Sequence, residues 1–169
     1  EIRTPMNAIS GMTTIAKSVL DDREKALDCL EKIESANGYL LGLINDILDM
    51  SRIESGKLEL NYEAMDLAQL LADLESLFRA QAQQKGLSLR FINGCGQGLV
   101  LRADRLRLNQ VLVNIIGNAI KFTDEGSITV RVEQVAAEPR AVLRFSVADP
   151  GVGIEPAAQA RIFNAFEQA

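Results

Sequence analysis

Two short stretches of this chain carry residues whose types and spacing could do chemistry. The first is DRLRLNQVLVNIIGNAIKFT, residues 104–123. At 100° per residue, Asn114, Asn118 and Lys121 fall within an arc of roughly 60° on one helix. Leu108, Val111, Leu112, Ile115, Ile116, Ala119 and Ile120 cover most of the remaining circumference, which predicts a buried helix with one polar stripe. Burying two amides and an ammonium unpaired is costly, so the stripe faces a solvated pocket, a ligand, its own members or open water. The second stretch is Asp149-Pro150-Gly151-Val152-Gly153-Ile154. Two glycines two apart let a backbone approach a ligand closely, and the Asp offers a fixed acceptor for an amine donor. Asp-Pro-Gly is equally an ordinary turn.

Both stretches need elements to hold them. Asp104 is a suitable N-cap for the polar-striped helix. Asp124-Glu125-Gly126 turns the chain into an alternating run, Ser127 to Val135, and a turn at Glu138-Pro139-Arg140 leads to a second, Ala141 to Ala148. These two runs predict a hairpin that delivers Asp149 at its end. In the second run Leu143, Phe145 and Val147 share one face, with Val142, Arg144 and Ser146 on the other. Upstream, Leu58 to Asn61 reads as a short strand, Leu67 to Lys85 as an amphipathic helix closed by Gly86, and Leu87 to Phe91 as another strand. Residues 93–98 form a loop before Leu99 to Leu101. This order predicts an α/β sandwich over residues 57–169, with helices layered on one face of a mixed sheet.

The first third of the chain is different. Ile2, Ile9, Met12, Ala16 and Val19 predict a helix over residues 1–20, with Pro5 kinking it close to Glu1. Asp21-Asp22-Arg23-Glu24 is a turn. Over residues 25–53, Ala26, Leu30, Ile33, Asn37, Leu40, Ile44 and Ile47 form a heptad seam with Asn37 as a polar core position. Two such helices make an antiparallel hairpin that cannot bury a whole apolar stripe by itself, and a two-fold dimer giving a four-helix bundle is the simplest solution. Gly56 ends the second helix, so the domains are expected at 1–56 and 57–169.

Composition narrows the function. The 169 residues are 47% apolar and 24% charged, which is the profile of a globular protein. No run of 18 apolar residues is present to span a membrane. A net charge of −5 argues against nucleic acid as a partner. Cys29 and Cys95 lack metal-site spacing and suit a reducing compartment. The absence of histidine removes His-based acid–base catalysis and His metal sites. No signal-peptide pattern is seen and the first residue is Glu1, so the sequence is expected to be a piece of something longer, with room for a membrane anchor elsewhere in it.

Taken together, the motifs resemble one family. NIIGNAIKFT is similar to the asparagine box of sensor histidine kinases, DPGVGI to their first glycine box and RIFNAFEQ to their phenylalanine box. EIRTPMNAISGM resembles the segment that follows the phosphoacceptor histidine, and LLGLINDILDMSRIESGKLEL resembles the second helix of the dimerisation and phosphotransfer hairpin running into the linker. The motifs occur in the family's order over nearly the whole chain. Asn114 in the place of a hydrolytic Glu separates it from the related ATPases of the gyrase and chaperone superfamily.

That resemblance implies a homodimer, formed through residues 1–53, that binds ATP with Mg²⁺ and passes a phosphoryl group to a histidine and then to a response-regulator aspartate. It implies that Asn118 ligates the metal through its amide oxygen, that Asn114 helps hold the triphosphate, and that Lys121 lies against the phosphates. Phe122 would border the nucleotide, and Asp149 would accept from the exocyclic amine of adenine. Gly151 and Gly153 would let the adenine-side loop pass closely, and Phe163 with Phe166 would belong to the lid, core packing being the competing role. Glu1 would act as general base for the histidine nitrogen, and Thr4, one turn on, would orient water during dephosphorylation of the regulator. The histidine is expected immediately before Glu1, and the second glycine box after Ala169. The 169 residues are therefore expected to lack the phosphoacceptor and the C-terminal part of the ATP-binding domain, and to be inactive for autophosphorylation. Pro150 stands where the family usually shows Thr or Asn. The alternative is a non-catalytic signalling module that pairs with another histidine kinase through the hairpin.

Overall fold

Helix α1 spans Arg3–Ser18 and α2 spans Arg23–Glu54 in a computed structural model that describes residues 2–96, 98–137 and 140–162. They belong to the first of two units, Glu1–Glu59, and the second is Leu60–Ala169. Pro5 is buried in the first turn of α1, where its missing N–H costs no intrahelical bond. The kink expected close to Glu1 lies outside the described residues. Asp22 caps α2, its side chain accepting from the Lys25 amide at 3.2 Å.

Within the single hairpin only part of the heptad seam is covered, as expected of a stripe that two helices cannot bury alone. Along α2, Ala26, Cys29, Ile33, Ala36, Leu40 and Leu43 are buried or half-buried. Leu30, Asn37, Ile44 and Ile47 are exposed, with Leu30 at 55%. The burial stripe keeps the three-and-four spacing but steps to the other flank of the helix at every second position. Asn37 is therefore not a core position within the hairpin. The reason is geometric: one partner helix covers one flank of the seam and leaves the other open.

Helix α2 ends in a complete Schellman motif. Gly56 has φ +64°, its amide donates to the Ile53 carbonyl at 3.0 Å, and the Lys57 amide donates to the Arg52 carbonyl at 2.9 Å. Only glycine enters that left-handed conformation without a Cβ penalty.

The second unit runs β1 (Glu63–Asp66), α3 (Leu67–Gln84), β2 (Ser88–Asn93), β3 (Val100–Ala103), α4 (Arg105–Phe122), β4 (Ser127–Ala136), β5 (Val142–Ala148) and the one-turn α5 (Pro156–Gln159). Its strands form two sheets rather than one. β1 pairs antiparallel with β3, Glu63 opposite Ala103. The other sheet has the order β2-β4-β5 and is mixed, with β2 parallel to β4 and β5 antiparallel to it. The strand expected at Leu58–Asn61 is a correction: those residues have no ladder, and the strand lies five residues later. Asn61 instead donates its amide to the Asp104 side chain at 2.9 Å, and the ladder begins where the chain meets β3.

The core is one layer between α3, α4 and the mixed sheet. On α3, Leu70, Leu74, Phe78 and Ala82 step by four along one face, and α4 contributes Leu112, Ile116, Ala119 and Ile120. Ile128, Val130 and Val132 of the central strand β4 are fully buried. Leu143, Phe145 and Val147 of β5 are half-buried, as their alternation predicts, and Phe145 and Val147 pack against the same cluster. Burying each such aliphatic side chain is worth about 1.5–3 kcal/mol, so this layer fixes where the site-bearing end of α4 stands.

Candidate functional site

Helix α4 is anchored at its start by Asp104. One carboxylate oxygen accepts from the Arg107 amide and the other from the Asn61 amide, both at 2.9 Å. Those two backbone donors, Arg107 first, hold the Asp104 carboxyl below its ordinary range. Arg105 adds a 2.6 Å ion pair to Asp73 of α3.

The face of α4 away from the core is only partly the expected polar stripe. Asn114, Asn118, Lys121 and Phe122 are all exposed on it. Val111 and Ile115 are exposed as well, at 54% and 46%, so the helix is not buried around most of its circumference. The four core residues of α4 satisfy one face, and no layer covers these two apolar residues within the described part of the unit. Asn118 Nδ2 reaches Asn114 Oδ1 at 3.5 Å, a long bond that leaves Asn118 Oδ1 uninvolved. The Lys121 ammonium lies 4.9 Å from the Phe122 ring centroid, within cation–π range.

The glycine loop meets the C-terminal end of this helix. Asp149 Oδ1 accepts from the Gly151 amide at 2.9 Å, which fixes the carboxylate against its own loop and leaves Oδ2 for another donor. The Val152 amide points to the Phe122 carbonyl at 3.4 Å. A Cβ on Gly151 would stand 2.6 Å from the Phe122 carbonyl oxygen and 2.6 Å from Asp149 Oδ1, so no other residue fits here without moving backbone. Pro150 packs on the preceding turn, 3.0 Å from where a Gly126 Cβ would lie. Gly153 has φ +72°.

The structure thus brings Phe122, Asp149 and Gly151 to one junction, and puts Asn114, Asn118 and Lys121 along the helix that ends there. Thr4 belongs to the other unit, exposed in the first turn of α1. Glu1 and Phe163, with Phe166, lie outside the described residues. Sequence reasoning gave no role to Lys85, whose ammonium donates to three carbonyls at the end of α4. No short-range pattern announces a contact between residues 35 to 38 positions apart.

The junction suits a purine nucleotide. The free carboxylate oxygen of Asp149 is an acceptor for an exocyclic amine, and Lys121 is a compact cation for phosphate. Among the described residues no three His, Cys, Asp or Glu gather into a metal cage. A divalent cation here would rest on an amide oxygen such as that of Asn118, with phosphate oxygens and water completing its shell. That donor set is hard and sparse, as Mg²⁺ accepts.

Two family models match this chain, one in each unit. The His Kinase A (phospho-acceptor) domain matches residues 1–56. The histidine kinase-, DNA gyrase B- and HSP90-like ATPase domain matches residues 103–169. The sensor protein GacS of Pseudomonas syringae pv. syringae is 42% identical over 171 residues, which take in 100% of this chain and 19% of that protein. Full-length ShkA, crystallised in complex with AMPPNP, superposes with a TM-score of 0.72 at 33% identity over 98% of this chain and 35% of that one. Histidine kinase ThkA, in complex with the response regulator protein TrrA, superposes with a TM-score of 0.68 at 27% identity over 99% of this chain and 48% of that one. The chain spans about a fifth of the length of the curated relatives it matches.

Proposed function

The chain belongs to the sensor histidine kinases, joining a phosphoacceptor-type helical hairpin to an ATPase-type α/β domain, and on that premise we propose that it is the catalytic core of a kinase using Mg·ATP to phosphorylate a histidine. The observation that carries the nucleotide reading is the junction of Phe122 with Gly151, which holds Asp149 at the end of the Asn114–Asn118–Lys121 face. Asp149 selects adenine through its free oxygen. Lys121 and Asn114 hold the triphosphate, Phe122 borders the nucleotide, and Gly151 and Gly153 let the adenine-side loop and the lid hinge pass closely. Asn118 holds Mg²⁺, which supplies charge neutralisation at the phosphates. The AMPPNP complex of ShkA supports this reading, since that relative binds an ATP analogue.

The chemistry is in-line transfer. A nitrogen of a histidine preceding Glu1 attacks the γ-phosphorus, the bond to the β–γ bridging oxygen breaks, and the imidazole proton passes to the Glu1 carboxylate. The chain's part is mainly positioning and charge neutralisation, because phosphoryl transfer asks for little covalent participation. The phosphoryl group then moves to an aspartate of a response-regulator receiver domain; in the separate dephosphorylation, Thr4 orients a water that attacks the aspartyl phosphate and releases inorganic phosphate and free aspartate. The ThkA complex with a response regulator supports such a partner. Residues 1–56 act as the dimerisation and phosphotransfer domain of a homodimer, with residues 57–169 as the ATP-binding domain. No described helix is long and apolar enough to cross a membrane; the chain takes in only about a fifth of its longer sensor relatives, and we read it as the cytoplasmic segment of a membrane-anchored protein.

The test is ATP affinity with and without Mg²⁺ for the unsubstituted protein and for Asn118→Ala. The expected result is a loss of about tenfold or more with Mg²⁺ and little change without it. Equal Mg·ATP affinity in both proteins would remove the metal assignment.

A further inference from the structure

We propose that Lys85 is a positioning residue for the nucleotide site, holding the last turn of α4 against the glycine loop by capping that helix from another element. The proposal rests on the nucleotide reading of the site, and its structural half can be tested apart from it.

The last carbonyls of a helix have no intrahelical donors and carry the negative end of the dipole. Of the helices α2, α3 and α4, two close on a glycine and the third does not. Helix α2 ends at Gly56 in a Schellman motif. Helix α3 does the same at Gly86, with the Leu87 amide donating to the Ala82 carbonyl at 2.9 Å and the Gly86 amide to Gln83 at 3.0 Å. Helix α4 has no glycine at its end. Its C-cap is Thr123, in an extended conformation at φ −105° and ψ 127°, and the chain leaves directly into Asp124.

Lys85 takes over that task. Its ammonium donates to the carbonyls of Ile120 at 3.0 Å, Lys121 at 2.9 Å and Thr123 at 3.2 Å. An ammonium has three protons, and all three are used on one helix end. The carbonyl between them, that of Phe122, is left for the glycine loop, where the Val152 amide and the Gly151 backbone meet it. Four consecutive carbonyls are thus divided between a lysine on one side and the candidate adenine loop on the other. The same segment is tied once more, by the Ser88 amide donating to the Gly126 carbonyl at 3.0 Å. Losing the lysine frees the turn that carries Lys121 and Phe122, and with it the surface that Asp149 and Gly151 are set against.

The experiment compares Lys85→Met, which keeps the aliphatic stem, with Lys85→Arg and with Arg105→Met, all in the full chain. Arg105→Met removes an ion pair at the other end of α4 and serves as the control for general destabilisation of that helix. Two readouts are taken below the melting transition: hydrogen exchange over residues 119–126 and ATP affinity. Lys85→Met is expected to speed exchange over that segment about fivefold and to weaken ATP about fivefold, the size of a favourable charge–dipole contact. Arg105→Met is expected to stay within about twofold on both, and Lys85→Arg to recover most of each loss. Unchanged exchange in Lys85→Met overturns the proposal, as does an affinity loss no greater than that of Arg105→Met at a matched melting temperature. Faster exchange in Lys85→Met, in a protein that binds no ATP without substitution, keeps the capping role and overturns the nucleotide reading instead.

Discussion

The carbonyl oxygen of Phe122 lies 2.6 Å from the point where a Cβ on Gly151 would stand. This contact joins the end of the polar-faced helix to the loop carrying Asp149, and it sets the first prediction. Gly151→Ala must displace backbone, because the Phe122 carbonyl carbon lies only 3.2 Å from the same point. Overpacking of this kind costs about 1–3 kcal/mol, part of it as lost geometry at the junction. Isothermal titration should show ATP affinity reduced by about tenfold or more, with a folded far-UV spectrum. Wild-type affinity in Gly151→Ala would mean that the loop does not line the nucleotide.

Asp149 commits one oxygen to its own loop, and the prediction concerns the other. Asp149→Asn presents either a donor or an acceptor where the reading needs only acceptors. ATP binding should fall by about one to two powers of ten, since a polar group aimed at a missing partner is left unpaired. A competition assay with GTP provides the check. The ATP-over-GTP preference should shrink in the variant, and an undiminished preference would place adenine recognition elsewhere.

Thr123 is fully buried, and among the described residues its hydroxyl is the buried side-chain group with no hydrogen-bond partner. An unpaired buried hydroxyl costs about 1–3 kcal/mol. Thr123→Val keeps the shape and the carbonyl that receives Lys85, so it should leave the melting temperature unchanged or raise it. A marked drop in thermal denaturation would show that the hydroxyl has a partner after all.

Much of this was legible in the sequence, for reasons that differ by element. Helices α3 and α4 announced themselves because a four-residue stripe such as Leu70, Leu74, Phe78 and Ala82 is a local pattern. The junction of Asp149 with the α4 face was legible only through the family resemblance, because a turn and a ligand loop share the same glycines. β1 was misplaced because alternation at Leu58–Asn61 is as good as that at Glu63–Asp66. The choice is made by a distant partner, β3, and by the tether of Asn61 to Asp104. The exposure of Val111 and Ile115 was hidden for a related reason, since apolar residues on most sides of a helix do not say which side has a neighbour. Lys85 was invisible because its three acceptors come from another helix end.

Asp104 gives a pH prediction. Its carboxyl is held below the ordinary range by the Arg107 and Asn61 amides, so the ionised form stabilises the fold. For a depressed carboxyl that contribution is complete above the unfolded value, near 3.8, and is lost as pH falls through the lower folded value. Asp104→Ala should therefore lower the melting temperature at neutral pH, and its gap to the unsubstituted protein should close as the pH falls below about 4. Melting curves across that range check it. A gap independent of pH would mean that the charge on Asp104 does not matter.

The last prediction concerns the open flank of the hairpin. Leu30, Leu41, Ile44, Ile47 and Leu48 of α2 are all exposed, at 39–55%, and fall on one side of that helix. An apolar stripe of this length on a long helix is the face a second copy would cover, and Ile44 and Ile47 lie three residues apart on it. Each isoleucine buried in such an interface contributes about 1.5–3 kcal/mol. Around a two-fold axis every substitution appears twice, so Ile44→Lys with Ile47→Lys places four ammonium groups in one seam. Sedimentation should show the unsubstituted protein as a dimer and the doubly substituted one as a monomer. Both substitutions lie in the hairpin and none of the candidate nucleotide residues does, so ATP affinity should stay within about twofold of the unsubstituted value. A doubly substituted protein that still sediments as a dimer would move the interface to another face of the hairpin.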